Sequence, residues 1–167
     1  MDLRAEITLV KLPDVPRRDL VAHMSDSRLA AHMPLLTGRW DDERVAAFIA
    51  AKEACWDRDG LGHWGILANG AYVGWGGFQK EGEEWDYGLV LKPSCFGLGL
   101  RITRLALAFA AADERIPHVT FLLPPSRKKL AALVRLGATF IGEVEHQGAR
   151  FLKYRLGTAK SNRSSGS

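Results

Sequence analysis

Several features that would direct this chain of 167 residues to a particular class of protein are scarce or missing in its sequence. The only two cysteines, Cys55 and Cys95, are too few for a disulfide framework and fit a reducing compartment. No uninterrupted apolar run approaches the about 18 residues of a membrane-spanning helix. The first residues lack the long apolar stretch of a secretory signal. We therefore expect a cytoplasmic protein that does not associate with membranes.

Short motifs of several large enzyme classes are missing as well. The sequence contains no Gly-Lys-Ser/Thr of a P-loop, no G-x-S-x-G of a serine hydrolase, and no H-E-x-x-H or C-x-x-C. A dinucleotide fingerprint would need a third glycine where Ile102 stands. The five histidines have no metal-ligand spacing, so we expect no metal site.

What is present fits one domain. A chain of this length buries on folding roughly 70% of the surface that its unfolded form exposes, so it needs no disulfides or metal ions to stabilise the fold. We expect that domain in residues 1–156, followed by a polar, glycine- and serine-rich tail in 157–167 that is disordered. The net charge of +4 hides a division, because residues 1–91 sum to −5 and residues 92–167 to +9. Such a division suggests that the basic second half binds a polyanion and that the acidic first half binds a cation.

Hydrophobic periodicity predicts the element order β–α–α–β–β–β–α–β–α–β–β. The pairs Asn69-Gly70 and Gln147-Gly148 predict tight hairpins. A helix over 98–115 is predicted to place Leu98, Ile102, Leu105 and Phe109 on one face, and a second helix runs from Ser126 to Gly137. The strand–helix–strand passage near 84–123 predicts one parallel pair inside a mixed sheet.

Gly97-Leu98-Gly99, between a predicted strand and a helix, is the most specific local feature. Glycines allow close approach, and the amides of residues 96–100 could then share an anion at the positive end of the helix. Arg101 and Arg104 oppose the helix dipole unless an anion lies nearby. The alternative is a turn into the helix that binds nothing.

These residues resemble the GNAT superfamily of acyl-CoA-dependent N-acyltransferases, and most closely its ribosomal-protein N-terminal acetyltransferase branch, over residues about 5–156. The family's pyrophosphate loop, Q/R-x-x-G-x-G/A, reads Ser94-Cys95-Phe96-Gly97-Leu98-Gly99 here. Residues 86–91 (DYGLVL) are similar to the family's E-I-G-Y-x-L strand, and 126–138 to its N-x-x-S…L-G-F helix. In that helix Val134 stands where the family often has a tyrosine acid, and Ala138 replaces phenylalanine.

The resemblance implies an α+β fold in which a mixed, mostly antiparallel sheet of six to seven strands is flanked by about four helices. It also implies a splayed parallel pair that holds acetyl-CoA as co-substrate. The implied cofactor-binding residues are Leu89, Val90, Leu91, Phe96, Gly97, Leu98, Gly99, Leu100, Arg101, Ser126 and Lys129.

The implied reaction is direct transfer of acetyl to a primary amine, either a peptide N-terminus or a small amine. Asp86 matches the family's strand glutamate and is the candidate general base, although a surface carboxylate is an equal alternative. Trp40 is the candidate substrate contact. Instead of contacting the cofactor, Ser126 could be the N-cap of its helix. Cys95 is interpreted as an ordinary loop cysteine and not as a nucleophile.

Two other functions stay open. The changes at Ser126, Val134 and Ala138 suit a non-catalytic acyl-CoA-binding regulatory module. Arg127, Lys128 and Lys129 suit nucleic acid, but no interleaved aromatic residues accompany them, so we expect no nucleic-acid partner. The chain is expected to be a monomer or a homodimer.

Overall fold

A computed structural model gives the fold, and it describes residues 2–30, 33, 36, 38–126 and 130–158. Seven strands form one mixed sheet in the order β1-β2-β3-β4-β5-β7-β6. The strands are β1 (Ile7–Lys11), β2 (His63–Ala68), β3 (Ala71–Glu81), β4 (Glu84–Leu91), β5 (His118–Leu123), β6 (Thr139–His146) and β7 (Ala149–Gly157). The α-helices are α1 (Arg17–Met24), α2 (Ser27–Ala30), α3 (Asp42–Asp59), α4 (Gly99–Ala112) and α5 (Ala131–Arg135).

Both predicted hairpin turns are confirmed. Asn69 and Gly70 have φ of 49° and 80°, and Gln147 and Gly148 have φ of 50° and 80°. Two successive left-handed residues match the right-handed twist of the flanking strands, which is why these pairs close tight hairpins. The predicted parallel pair is also present, between β4 and β5, and all other neighbouring strands are antiparallel.

Each face of the sheet is covered by a different helix. Asp41 caps α3 by accepting a hydrogen bond from the Arg44 amide, and Gly60, in the left-handed region at φ 73°, ends it. This helix packs its Val45 into a cluster with Trp75 and Val90 of the sheet. On the other face α4 packs against strands β2 to β5.

The buried stripe of α4 differs from the predicted one. Leu98 and Ile102 are buried as predicted, but the stripe continues through Ala106 and Ala110. Leu105 and Phe109 are 45% and 37% exposed. Alanines at the helix–sheet contact let the helix backbone lie close to the rings of Phe78 and Tyr87. A periodicity of 3.6 alone could not choose between these two stripes.

One boundary prediction needs correction. The helix expected from Ser126 to Gly137 is described only as the single turn α5, and Ser126 lies in a turn before it. The end of the domain at residue 156 stays a prediction; β7 runs to Gly157, and the Thr158 hydroxyl donates to the carbonyls of Ile116 and Pro117 at 2.6 and 3.0 Å. Residues 159–167 lie outside the described residues.

The 20-residue segment Pro93–Ala112 contains an 18-residue window with a mean hydropathy of 1.5, so by length and composition alone it could cross a membrane. Arg101 and Arg104 interrupt the segment, so it is not an uninterrupted apolar run, and the absence of membrane association stays a prediction. In the fold, the apolar stripe of this segment faces the sheet.

Candidate active site

The parallel strands β4 and β5 separate soon after they meet. Their ladder consists of two register pairs, Trp85 with Val119 and Asp86 with Thr120. Beyond that point β4 stays paired with β3 as far as Leu91, while β5 stays paired with β7 as far as Leu123. The two halves of the sheet therefore open into a wedge whose apex is the Asp86–Thr120 pair.

Asp86 lies at this apex in a partly buried position. The Thr120 hydroxyl, itself only 3% exposed as a residue, donates to Asp86 Oδ1 at 2.9 Å. Burial raises the pKa of Asp86 to about 7, and Glu81 and Glu84 act in the same direction, while the Thr120 hydrogen bond and Lys153 oppose it. A carboxyl group that titrates near neutral pH is suited to accept a proton from an amine.

A row of polar side chains crosses the sheet at the same level. Gln79 of β3 stands directly opposite Asp86, and Thr120 follows on β5. From above, Lys52 of α3 donates from Nζ to Gln79 Oε1 at 2.8 Å. Burial lowers the pKa of Lys52 to about 8, against the opposing effects of Cys55, Glu81 and Asp86. On the α3 face of the sheet, Lys52 and Asp86 therefore lie on either side of the Gln79 amide, and the pKa of each is shifted toward neutral pH.

His63 of β2 lies in the neighbouring row, opposite Gly77, which in turn pairs with Gly88. A Cβ placed on Gly88 would lie 3.7 Å from His63 Cε1, so the imidazole extends over β4 next to the Asp86 row. The residue is 7% exposed and its Nδ1 has no hydrogen-bond partner among the described residues. Burial and then Lys52 lower the pKa of His63 well below its ordinary value, so the ring is neutral.

The carboxyl ends of β4 and β5 reach the same edge of the sheet because the strands are parallel. After β4, residues Pro93–Leu98 form a 3-10 turn that leads into α4 at Gly99. Gly99 has helical φ of −56°, and a Cβ there would meet only Leu91 Cδ1 at 3.6 Å. Among the described residues nothing therefore requires glycine at position 99, whereas a ligand that approaches the backbone would require it.

Other residues of the predicted cofactor site lie at this edge in different environments. Arg101 donates to the Leu3 carbonyl at 3.2 Å, and Phe96 and Leu100 are 50% and 44% exposed. Ser126 is exposed in the turn after β5 and is not a helix cap, since α5 begins five residues later with Leu130 at its cap position. Lys129, like Arg127 and Lys128, lies outside the described residues.

The remaining predicted residues are packed into the protein. Val90 faces the α3 cluster, whereas Leu91 and the partly buried Leu89 face the α4 side. Trp40 is 6% exposed, its indole N–H donates to the Leu36 carbonyl at 3.0 Å, and Arg44 lies 4.0 Å from its ring. Trp40 is thus a core residue here, and its contact with a substrate stays a prediction.

Sequence reasoning missed Thr120 and Lys52. Lys52 had a signal, because it continues the apolar stripe of α3 from Val45 and Phe48, and a lysine on the buried side of a helix is costly. Thr120 had none, since a threonine in a buried strand is ordinary. Among the described residues no group of three or more His, Cys, Asp or Glu side chains is placed to hold a metal.

Comparison with known proteins places the fold. No protein-family model and no curated protein matches this sequence. Solved structures do match: RimL, a ribosomal alpha-N-protein acetyltransferase in complex with coenzyme A, is 14% identical with a TM-score of 0.73, over 95% of this chain and 98% of that chain.

A spermidine N-acetyltransferase from Vibrio cholerae, in complex with CoA and spermine, is 6% identical with a TM-score of 0.71, over 95% and 98% of the two chains. A GNAT-family acetyltransferase from Bacillus anthracis is 17% identical with a TM-score of 0.70, over 95% and 99%. Together with the seven-stranded mixed sheet and its single parallel pair, these similarities establish that the chain has the fold of the GNAT acetyltransferases.

Proposed function

We propose that this protein is an acetyl-CoA-dependent N-acetyltransferase that acts on a primary amine by direct transfer. The observation that carries the proposal is a carboxyl group with a pKa near 7 at the apex of a wedge between two parallel strands. The wedge gives an extended acyl chain a place to lie, and Asp86 gives the amine a base. Solved proteins of the same fold bind CoA.

Acetyl-CoA is positioned by the backbone that borders the wedge. Residues 89–91 of β4 run along it, and the 3-10 turn with the first residues of α4 lies where the phosphates would emerge. Helix N-terminal amides bind anions well, and Gly99 leaves them accessible. Arg101, Ser126 and Lys129 are the candidate side chains for the remaining phosphate and ribose contacts.

Asp86 acts in the proton transfer. In its ionised form it accepts a proton from the ammonium of the acceptor, directly or through one water, and Thr120 holds Oδ1 while it does so. The neutral amine then attacks the thioester carbonyl, the new C–N bond forms, and the C–S bond breaks. CoA leaves as a thiolate and takes up the proton that the nitrogen releases when the amide forms. A backbone amide of Leu89 or Val90 is proposed to polarise that carbonyl. Holding both reactants in place supplies much of the rate.

The acceptor is a peptide N-terminus or a small amine, and the protein is expected to work in the cytoplasm as a monomer or homodimer. The acidic first half of the chain supports a cationic acceptor on that side. The test is release of free CoA from acetyl-CoA with a panel of N-terminal peptides, polyamines and small amines, with a gain of one acetyl mass on the acceptor.

A non-catalytic acyl-CoA-binding module is the second candidate, and one observation favours it. Val134, in the position where the family often has a tyrosine acid, is 61% exposed on a helical turn that buries none of its residues. Tight binding of acetyl-CoA by calorimetry, without acetyl transfer to any amine of the panel, would select the module over the enzyme.

A further inference from the structure

Lys52 occupies an environment that disfavours its charge. It reaches the sheet from α3 between two rings, with Nζ 5.1 Å from the centroid of Trp75 and 5.4 Å from that of Phe48. Its hydrogen bond is to a neutral acceptor, Gln79 Oε1, and it forms no ion pair among the described residues. A partly buried ammonium without a bonded carboxylate costs stability, which is typical of residues retained for function.

The geometry connects Lys52 to the apex of the wedge. The ammonium bonds Gln79, and Gln79 is the direct cross-strand partner of Asp86. Directly opposed residues of an antiparallel pair have Cβ atoms about 5 Å apart. Lys52 is therefore separated from Asp86 by a single side chain on the same face of the sheet.

The other charged groups near Asp86 are already occupied or carry the same sign. Glu84 pairs with Arg155 at 3.1 Å, with Lys153, and with His118 at 3.5 Å. Lys153 also lowers the pKa of Asp86, but its ammonium is bonded to Glu84, whereas that of Lys52 is bonded to a neutral amide. Glu81 accepts from Gln79 Nε2 at 3.0 Å and adds negative charge. The groups that face the Asp86 site are Lys52 and Cys55 of α3, His63 of β2, Glu81 of β3, Glu84 of β4, His118 of β5, and Lys153 and Arg155 of β7.

We propose that Lys52 is the counter-ion of Asp86 and, acting across Gln79, holds that carboxyl group in the ionised form that accepts the proton of the acceptor amine. Lys52 is thus a positioning residue, and its role in catalysis rests on the proposed function. Asp86 raises the pKa of Lys52, and the same attraction between the two charges opposes the effects of burial, Glu81 and Glu84 on Asp86. Above its own pKa of about 8 the lysine is neutral and its influence ends.

The first test needs no activity. The Asp86 carboxyl carbon is titrated by 13C NMR in the ligand-free full chain, with Asp86→Asn to assign the signal. Loss of the ammonium in Lys52→Met should raise the midpoint by about one pH unit, because an opposite charge one side chain away favours the ionised form by about that much. Lys52→Arg keeps the charge and should titrate near the wild type.

Lys80→Met is the matched control. Lys80 is the next residue on β3 after Gln79, so it points to the opposite face, where its ammonium lies 6.0 Å from the Trp85 ring. Its removal should leave the Asp86 midpoint unchanged. A midpoint in Lys52→Met within about 0.3 unit of the wild type, with both proteins folded by thermal melting, would overturn the proposal.

The second test follows the acidic limb of kcat/KM against pH. In Lys52→Met that limb should move to higher pH by the same interval, so that activity falls about tenfold at pH 6.5, and the two profiles should converge above pH 8. Equal loss at every pH would mean that Lys52 only supports the structure and would overturn the role. If the wild type transfers acetyl to no amine, the proposed function fails, and the NMR titration still decides whether Lys52 is the counter-ion.

Discussion

The two faces of the sheet differ in what they bury. The α4 face is packed by Ile102, Ala106 and Ala110 against aromatic and aliphatic side chains. Its polar contacts include the 2.8 Å hydrogen bond between the Tyr87 and Thr103 hydroxyls and the hydrogen bond from the Trp85 indole to the Arg115 carbonyl. The α3 face packs Val45 and Trp75 equally well, but it also carries the Lys52–Gln79–Asp86–Thr120 row and His63.

The α4 face of the sheet therefore contributes mainly to stability, whereas the α3 face also carries the groups proposed for catalysis. Apolar burial stabilises the fold in proportion to the area removed from water. Polar groups that are buried with incomplete pairing cost free energy, and their pKa values move toward the range in which protons are exchanged at neutral pH. We therefore expect substitutions on the α4 face to change stability, and substitutions in the polar row to change activity and its pH dependence.

The largest effect is expected from Asp86→Asn. Loss of a general base lowers kcat/KM by about 10²- to 10⁴-fold, whereas the fold should persist because the amide is nearly isosteric. Glu83→Gln, in the exposed turn between β3 and β4, is the matched carboxylate control and should keep full activity. Initial rates of thiol release measure both variants, and unchanged kcat/KM across pH in Asp86→Asn would refute its role.

The same substitution should change how stability depends on pH. Burial raises the pKa of Asp86 from 3.8 to about 7, so the folded wild type holds this proton more tightly than the unfolded chain does. Wild-type stability is then lost as pH rises from about 4 to about 7. Asp86→Asn lacks this loss, so between pH 4 and pH 8 its free energy of unfolding should rise relative to that of the wild type by up to about 4 kcal/mol, measured by urea unfolding.

Ile102→Ala should give the largest loss of stability. The side chain is 3% exposed beneath the wedge, and truncation leaves a cavity worth about 2–5 kcal/mol. Leu105→Ala, three residues along the same helix but 45% exposed, should cost less than about 1 kcal/mol. Denaturant midpoints compare the two, and equal losses would contradict the observed stripe of α4.

Gly99→Ala separates the ligand from the fold at the cofactor edge. The new Cβ meets only Leu91 Cδ1 at 3.6 Å and the backbone is helical, so stability should stay the same or rise by up to about 1 kcal/mol. Affinity for acetyl-CoA should fall about tenfold, the equivalent of one lost hydrogen bond. Calorimetric titration measures the affinity, and undiminished binding would argue against a phosphate at this turn.

Thr120→Val should produce the smallest effect. It removes the 2.9 Å hydrogen bond to Asp86 Oδ1 while keeping the shape of the side chain. Because that bond favours the ionised carboxylate, its loss should move the acidic limb of kcat/KM upward by about half a pH unit. Ser in place of Thr120 retains the hydroxyl and should keep the wild-type profile.

Local signals in the sequence were sufficient for most elements of the fold. Asn69-Gly70 and Gln147-Gly148 demand left-handed turn residues, and Asp41 with Gly60 delimits α3, so each was readable without distant contacts. The stripe of α4 was not, because choosing Ala106 and Ala110 over Leu105 and Phe109 depends on how near the helix lies to the sheet. The helix expected at Ser126 also exceeded the described turn α5.

The candidate site divides in the same way. Gly97, Gly99 and Asp86 stand in motifs along the chain, so sequence reasoning reached them. Thr120 is 34 residues from Asp86 in sequence and donates to it from β5. Lys52 of α3 bonds Gln79, the cross-strand partner of Asp86, and only the register of the sheet brings these residues together.

The sequence by itself determined the order of the elements, the turns between them and the glycine-containing loop before α4, because each depends on backbone preferences and periodicity within a few residues. The tertiary structure decided where β4 and β5 part, which residues stand opposite Asp86, and how far burial shifts its titration. These follow from strand register and from the removal of water, and both are properties of the packed sheet.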